Sequence, residues 1–175
     1  MAEDRELAER VRRRDAQAFD ALYREMGPRL VGFLQHLVGN RQAAEDVMQE
    51  TFAQMWTNPN GFTPERGTLA AYLFGAARKR AAEWWRKHAS AKGKTIEKSV
   101  ECKTEVASLV GDAFDRLPED QRSLLWLREV EGQSYAELAH ILEIPIGTVR
   151  SRLFAAREEL RAVWYATRVV KREVI

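Results

Sequence analysis

Arginine side chains recur along a short segment near the C-terminal end of the chain, where they could contact nucleic acid. Val149, Leu153 and Leu160 have the spacing of one helix face, so the segment has an inward apolar stripe. At about 100° per residue, Arg150, Arg157 and Arg161 lie on one flank of that stripe, while Thr148 and Arg152 lie on the other. Guanidinium groups on a helix in the major groove can reach both phosphates and base edges. The pattern predicts a DNA-reading helix; the alternative is a solvated basic surface helix.

The segment before these arginines predicts the first helix of a helix-turn-helix. Apolar residues repeat at i, i+3, i+4 and i+7 between Tyr135 and Leu142. Pro145 then interrupts the pattern, because the residue before a proline is disfavoured in a helix. Thr148 can cap or open the next helix. The break, the cap and the arginines agree with one another, which favours the DNA-binding interpretation.

A second candidate surface lies on a predicted helix from Ala43 to Trp56. Val47, Thr51 and Met55 share the inward face by their spacing. The other side carries acidic and amide groups, and its members are Asp46, Gln49, Glu50 and Ala53. By itself, a polar helix face is most often only solvated.

A basic helix with adjacent tryptophans is expected to begin at Thr68, after a Gly/Pro loop at residues 62–67, and to run to about Lys87. Its cations are Arg78, Lys79, Arg80, Arg86 and Lys87. Cationic charge beside aromatic rings suits single-stranded nucleic acid, because bases stack on the rings and cations follow the backbone. Trp84 lies on the apolar side of the helix and fits a core position equally well. Trp85 is expected to be exposed or to lie at a contact surface.

The whole chain is predicted to be all-α, because no stretch alternates with period two over the length of a strand. Gly27–Pro28 is expected to end one helix and Leu30 to begin another. Residues 89–108 are rich in lysine and poor in aromatics, which predicts a flexible linker. Two small helical domains, residues 1–88 and 109–175, are expected on either side of it.

Composition and charge narrow the class of protein. No apolar run approaches the roughly 20 residues of a membrane span, and the polar N-terminal residues do not resemble a signal peptide, so a cytoplasmic protein is expected. Cys102 is the single cysteine, which excludes an internal disulfide framework and predicts an incidental thiol rather than a redox sensor. Residues 109–145 carry three arginines against eight acidic residues, whereas residues 146–175 carry seven basic residues against three acidic ones. We expect the acidic part to face away from DNA or toward another protein.

Together, three passages resemble the extracytoplasmic-function (ECF) sigma factors of bacteria, the minimal kind that contains only regions 2 and 4. The passages are AEDVMQETFAQMW at 44–56, LPEDQR at 117–122, and the helix-turn-helix at 134–153. Each is moderately specific, but their order and spacing across a linker make the similarity strong. It covers about residues 5–165, so the tail Trp164–Ile175 runs past the usual end of the family and could extend the last helix or serve a partner.

The resemblance implies a role for each surface. The helix bearing Asp46, Gln49, Glu50 and Ala53 resembles the region 2.2 surface that docks on core RNA polymerase. The loop at 62–67 and the helix after it resemble the part that melts the −10 element of promoter DNA, with Arg78, Lys79, Arg80, Trp85, Arg86 and Lys87 as contacts. The helix after the turn resembles the region 4 helix that reads the −35 element, with Thr148, Arg150, Ser151, Arg152 and Arg157 as contacts. An anti-sigma factor is the further partner that the resemblance implies.

Other functions have less support in the sequence. His36, His88 and His140 lie in separate segments without metal-ligand spacing, and no Gly-rich phosphate loop or serine-nucleophile elbow is present, so no metal, cofactor or catalytic residue is expected. A stand-alone helix-turn-helix transcriptional regulator is the main alternative, but it would need a receiver or ligand domain in residues 1–88. A pure interaction protein would not explain the arginines of the second helix.

Overall fold

The computed structural model of the chain describes residues 2–64, 67–88 and 111–172. Within these ranges the chain forms α-helices joined by short turns and no β-strand, so the all-α fold class is confirmed. The helices are α1 (Ala2–Arg12), α2 (Ala16–Val38), α3 (Arg41–Thr57), α4 (Leu69–Lys87), α5 (Glu119–Leu125), α6 (Tyr135–Leu142) and α7 (Ile146–Arg172). A 3₁₀ turn spans Pro59–Gly61, a π-helical segment spans Trp126–Val130, and residues 111–115 are also helical.

Helices α1 to α4 form a first packed group. Helix α2 contacts α1, α3 and α4, and α3 also packs on α4. The apolar stripes predicted from the sequence meet in the centre of this group, where Phe33, Phe52 and Phe74 are fully buried. Burial of such aromatic side chains supplies a large share of the stabilisation of a small helical core.

One sequence expectation about this group is wrong, since Gly27–Pro28 does not end a helix. Helix α2 continues from Ala16 to Val38 with Pro28 in its interior. The apolar residues on both sides of the proline, from Leu22 to Leu34, are buried in the same core. Packing along this continuous stripe offsets the backbone hydrogen bond that proline cannot make.

Side-chain caps fix where these helices begin. Asp15 accepts hydrogen bonds from the backbone N–H groups of Gln17 and Ala18 at 2.9 and 3.1 Å, and Asn40 accepts one from Ala43 at 2.7 Å. Thr68 caps α4 through Ala71 N–H at 3.2 Å, as the sequence predicts for the start of that helix. The Ala18 N–H group, followed by the Arg10 guanidinium, lowers the pKa of Asp15 below its ordinary value. Each cap satisfies a backbone donor that the helix itself leaves unpaired.

Helices α5 to α7 form a second group, which contains the predicted helix-turn-helix. Helix α7 packs on α5 and α6, with Val149, Leu153 and Ala156 buried. It begins at Ile146, so Thr148 lies within its first turn, and Pro145 stands directly before the helix, where proline's fixed φ and missing N–H are tolerated. It runs to Arg172, so the tail continues this helix up to that residue.

The two groups are in contact with each other. Helix α5 packs on α2, and α6 packs on α4. The predicted linker at 89–108, together with Cys102, lies outside the described residues. Because the two groups pack against each other, residues from both contribute to one continuous hydrophobic cluster.

Candidate nucleic-acid interface

Helix α3 presents the four polar-face positions that the sequence predicted on one exposed side. Asp46, Gln49, Glu50 and Ala53 are all exposed, and at about 100° per residue they lie within roughly 100° of one another. Asp46 accepts a hydrogen bond from Gln42 Nε2 at 3.1 Å. Their opposite face is buried in the core, so α3 holds this surface rigidly.

An aromatic groove borders this surface, and sequence reasoning missed it. Phe19 and Trp56 lie 4.8 Å apart between ring centroids, and Tyr23 lies 4.8 Å from Phe52. The groove also includes Gln49 and Ala53 of the polar face. In the sequence, these aromatic residues have the spacing of core positions on two helices. That spacing does not distinguish a buried residue from one at the edge of a groove.

Helix α4 carries the predicted basic residues, but three of them already have acidic or amide partners. Arg86 lies 3.8 Å from Glu83 on the same helix. Arg80 donates to Glu50 at 3.1 Å and to Gln54 at 2.6 Å, so it joins α4 to the polar face of α3. Lys79 donates to Glu143 of the second group at 2.6 Å. Arg86 and Lys87 are exposed near the end of the helix, and Arg78 is half-buried.

Both adjacent tryptophans make contacts within the first group of helices. Trp85 is half-buried, and its Nε1–H donates to the backbone oxygen of Leu37 at 2.8 Å. Trp84 is also half-buried and stacks on His88 with ring centroids 4.4 Å apart. Trp85 is therefore only partly exposed, because its polar edge anchors α4 to α2.

The helix-turn-helix is defined by a capping box and a left-handed turn residue. Ser134 Oγ accepts from Glu137 N–H at 3.2 Å, and a Glu137 oxygen accepts from Ser134 N–H at 2.8 Å. Helix α6 ends at Leu142, and its C-cap residue Glu143 has φ 56° and ψ 41°. This residue redirects the chain toward Pro145, and α7 begins directly after it at Ile146.

The Ser134 cap gives a measurable stability prediction. We expect Ser134→Ala to lower the free energy of unfolding by about 1 kcal/mol, because Glu137 N–H loses its side-chain acceptor. Ser134→Thr keeps the hydroxyl and should restore most of the loss. Urea unfolding followed by circular dichroism measures both, and equal stability of the alanine and wild-type chains would contradict the prediction.

Glu137 adds a pH dependence to the same cap. Burial raises the pKa of Glu137, but hydrogen bonds from Thr68 and Ser134 outweigh that effect and lower the pKa below its ordinary value. The stability that this carboxylate contributes is therefore present above its ordinary pKa and is lost as the pH falls through the lowered pKa.

The predicted recognition residues lie along the first turns of α7. Arg150, Ser151 and Arg152 are exposed, whereas Thr148 is half-buried. Ser151 Oγ donates back to the oxygen of Thr148 at 3.1 Å. Within the described part of the chain, Arg150 and Arg152 have no acidic partner, so their guanidinium groups are available for phosphates or base edges.

Arg157 differs from these two arginines because it is already paired. Its Nη2 and Nε atoms donate to one oxygen of Glu129 at 2.6 and 3.1 Å. The Glu129 carboxylate raises the pKa of Arg157 above its ordinary value. The structure thus places Arg157 on the predicted flank, but a contact to DNA would have to compete with Glu129.

Phe154 is a candidate contact that sequence reasoning missed. Phe154 is 69% exposed, which is more than any other large hydrophobic residue in the part of the chain that the structure describes. By helix geometry it lies between Arg150 and Ser151 on the outward face. An apolar ring at this place can contact the methyl group of thymine. The sequence signal is an aromatic residue one position after the apolar stripe residue Leu153.

The described residues form neither a metal-ion cluster nor a membrane-spanning helix. No group of three or more His, Cys, Asp or Glu side chains is arranged there to hold a metal ion. Of the helices in those ranges, none combines the length and the apolar character that crossing a membrane requires.

An all-α chain with a capped helix-turn-helix and a second basic helix defines a DNA-binding protein of transcription. Comparison with known proteins identifies the family. The family model for sigma-70 region 2 matches residues 22–91, and that for sigma-70 region 4 matches residues 108–160.

Relatives that match most of the chain agree with the two family models. The RNA polymerase sigma-H factor of Pseudomonas aeruginosa is 33% identical, over 90% of this chain and 92% of the relative. The ECF RNA polymerase sigma-E factor of Haemophilus influenzae is 30% identical, over 89% of this chain and 92% of the relative. The sigma factor RpoE of Bartonella quintana, solved with the anti-sigma factor NepR, superposes with a TM-score of 0.66 at 26% identity and covers 83% of this chain and 95% of its own.

The chain belongs to the sigma-70 family of RNA polymerase sigma factors, and within it to the ECF type. It binds core RNA polymerase and directs promoter-specific initiation of transcription, and a stand-alone regulator is not favoured. Sigma factors are non-enzymatic transcription initiation factors.

Proposed function

We propose that the chain divides its work between two domains. Residues 1–88 bind core polymerase and recognise and melt the −10 element, residues 109–175 read the −35 element, and residues 89–108 link them. The positions of the two family matches, 22–91 and 108–160, support this division. Two weak contacts on one chain reinforce each other through effective concentration, so neither domain needs high affinity for DNA by itself.

The exposed face of α3 is the proposed polymerase-binding surface. It combines acidic and amide groups with the aromatic groove between Phe19 and Trp56. A polar rim around apolar anchors is the usual composition of a protein–protein interface. Asp46, Gln49, Glu50 and Ala53 are the proposed contacts.

A two-site variant tests this surface. We expect Asp46→Ala with Gln49→Ala to weaken binding of core polymerase about tenfold or more, which is the loss that interface anchors commonly produce. Glu50 is left in place, because its removal would also take the acidic partner from Arg80. Asp20→Ala is the control, since Asp20 is an exposed acid on α2. Native-gel titration with core polymerase measures both, and equal affinities would remove α3 from the interface.

The loop before α4 and the basic side of that helix are the proposed −10 surface. The positive charge of this surface comes from Arg78, Lys79, Arg80, Arg86 and Lys87. Trp85 holds α4 against α2 through its hydrogen bond to Leu37. Separating and unstacking bases costs a few kcal/mol each by rough estimate, which cationic and stacking contacts to the displaced strand can offset. Tyr72 is half-buried beside this surface and adds an aromatic ring to it.

The first turns of α7 are the proposed −35-reading element. Their geometry is the observation that best supports the proposed function. A capped first helix and a turn at Glu143 hold the recognition helix, on which Arg150 and Arg152 are exposed. Thr148, Ser151 and Arg157 complete the proposed contacts. Phosphate contacts set the register on DNA, while a few contacts to base edges supply specificity.

The primary experiment is run-off transcription with purified core polymerase and a pool of promoter fragments, accompanied by a native gel for polymerase binding. Transcripts that depend on both the chain and the promoter sequence are expected. If the chain binds DNA but not core polymerase, a stand-alone regulator is correct instead. If it binds neither, an interaction protein is correct.

We also propose a location and a regulator. The chain works in the cytoplasm with the polymerase, and it acts by binding alone, without a cofactor or a catalytic residue. An anti-sigma factor is its proposed inhibitor, which is supported by the solved relative that was crystallised with the anti-sigma factor NepR. Co-purification of a tagged chain, followed by mass spectrometry, tests for this partner.

A further inference from the structure

Two arginines at the end of α1 contact backbone carbonyl groups on either side of the turn that follows α3. Arg14 donates to the backbone oxygen of Trp56, and Arg12 Nη2 donates to the backbone oxygen of Phe62 at 2.6 Å. We call residues 56–62 the α3–α4 turn. Both ends of this turn are therefore held by the same helix.

The Arg14 contact completes the end of α3. Trp56 is one of the last residues of that helix, and its carbonyl group is among those that a helix leaves without an internal donor. A cation at this place also interacts favourably with the negative end of the helix dipole. The Arg14 guanidinium lies over the Trp56 ring, 5.2 Å from the ring centroid. One side chain thus caps α3 and packs on its last aromatic residue.

The backbone of Arg14 has a conformation that favours glycine. Its φ angle is 62°, which is unfavourable for a residue with a side chain. Hydrogen bonds from Arg14 N–H to Val11 and from Asp15 N–H to Arg10, both at 3.0 Å, close the turn after α1. Glycine is the usual residue at this position of such a turn. Glycine could not supply the contact with Trp56, so the side chain of Arg14 has a use that its backbone does not explain.

The Arg12 contact comes from a well-anchored side chain. Arg12 is half-buried, and the preceding residue Val11 is fully buried where α1 packs on α2. The Phe62 side chain is buried as well, and its backbone is extended with φ −85° and ψ 131°. A hydrogen bond from a charged donor is stronger than one between neutral groups. Arg12 therefore fixes the position at which the chain leaves the turn.

The α3–α4 turn in its own right positions Tyr72 of α4. The Phe62 and Tyr72 rings pack with centroids 5.8 Å apart. A Cβ atom on Gly61 would lie only 2.5 Å from the Tyr72 hydroxyl oxygen, so the turn and Tyr72 cannot move independently. Tyr72 lines a cavity of about 520 Å³ together with Lys79 and Arg80 of the proposed −10 surface. A displacement of the turn would therefore reach the groups proposed to contact DNA.

We propose that Arg12 and Arg14 are positioning residues for promoter opening, which hold the α3–α4 turn by its backbone carbonyl groups and so keep Phe62 and Tyr72 in place at the −10 surface. This inference rests on the proposed assignment of the loop and α4 to the −10 element. Neither arginine needs to touch DNA for this role, because each acts through a carbonyl group of the chain itself.

Promoter opening by the polymerase complex of each Arg12 variant tests the proposal. Permanganate reactivity of thymines in the −10 region measures the unpaired bases. Arg12→Ala should lower opening about fivefold, the effect of losing one ordinary hydrogen bond, whereas Arg12→Lys keeps a charged donor and should recover most of the loss. Arg13→Ala is the matched control, because Arg13 is exposed and contacts Glu9 at 3.3 Å. It removes the same charge and should leave opening unchanged, and native gels should show equal polymerase binding by all three variants.

Arg14→Gly separates positioning from stability. Glycine relieves the left-handed backbone of this residue, so the melting temperature of the free chain should stay close to that of the wild type. The Trp56 carbonyl group nevertheless loses its donor, so promoter opening should fall. Wild-type opening by both Arg14→Gly and Arg12→Ala overturns the proposal.

A direct contact between Arg12 and DNA gives a different result. If Arg12 bound a phosphate, Arg12→Ala would reduce the slope of log affinity against log salt by about one for a single-stranded −10 oligonucleotide. We expect the slope to stay the same. In a Tyr72→Ala background, Arg12→Ala should cost little more, because both changes act on the same ring. A reduced slope or fully additive losses overturn the positioning role.

The outcomes separate this inference from the function on which it rests. Normal opening by Tyr72→Ala overturns the placement of Tyr72 at the −10 surface, and the positioning role fails with it. Reduced opening by Tyr72→Ala, with normal opening by Arg12→Ala and Arg14→Gly, overturns the positioning role alone and leaves the proposed function intact.

Discussion

Replacing Arg150 with alanine is expected to reduce transcription from promoters with a −35 element by about fivefold to 150-fold, since one bidentate contact to a base is worth about 1–3 kcal/mol. Arg150 is exposed on the first turns of α7, so the change should alter the DNA contact and leave the fold unchanged. Run-off transcription from matched promoters with intact and scrambled −35 elements measures the loss.

The Arg150 prediction has two internal controls. Arg24→Ala removes an exposed arginine of α2 that pairs with Asp20 at 2.9 Å, and it should leave promoter use unchanged. Native gels should show that Arg150→Ala binds core polymerase like the wild type. Undiminished transcription by Arg150→Ala would remove this residue from the −35 contacts.

Replacing Phe74 with alanine is expected to lower the free energy of unfolding by about 3–5 kcal/mol. Phe74 is fully buried, and its ring meets Phe33 edge to face at 5.4 Å between centroids. Arg29 lies over the same ring at 5.8 Å, and Arg29 also crosses to Glu131. Loss of Phe74 therefore creates a cavity in the first group of helices, close to the point where Arg29 contacts Glu131 of the second group.

Phe154→Ala is the matched control for the stability measurement. The residue type is the same, but Phe154 is 69% exposed, so its removal should change stability by no more than about 0.5 kcal/mol. Urea unfolding monitored by circular dichroism compares the two variants. Similar losses of stability would contradict the packing described for Phe74. The same Phe154→Ala protein should show weaker promoter binding if its ring contacts the −35 element.

Helical spacing and capping residues predicted much of the fold. The apolar stripes predicted α3, α4, α6 and α7, and Thr68 marked the start of α4. The break expected at Pro28 was wrong, because a local rule about proline does not include the burial of both flanking stripes in one core. Helix α7 begins two residues before Thr148, because proline at position 145 can stand directly before the first turn of a helix.

The candidate surfaces were predicted less completely than the helices. Spacing identifies which side of a helix is polar, so it grouped the α3 residues correctly on one exposed face. It does not identify the partner of a charged side chain, and the contacts of Lys79 with Glu143 and Arg157 with Glu129 join residues far apart in the chain. The excess of acid in residues 109–145 suggested a protein-facing surface, but the spacing gave no indication that the facing protein was the same chain.

The backbone of Glu143 has a consequence for how this position can change during evolution. Its left-handed conformation, with φ 56° and ψ 41°, costs a residue with a side chain about 1–2 kcal/mol that glycine avoids. An exposed pair such as that with Lys79 returns only about 0–1 kcal/mol. Selection for stability of the turn alone should therefore replace Glu143 with glycine or asparagine. Retention of an acidic residue here across orthologues would indicate selection on communication between the domains rather than on folding.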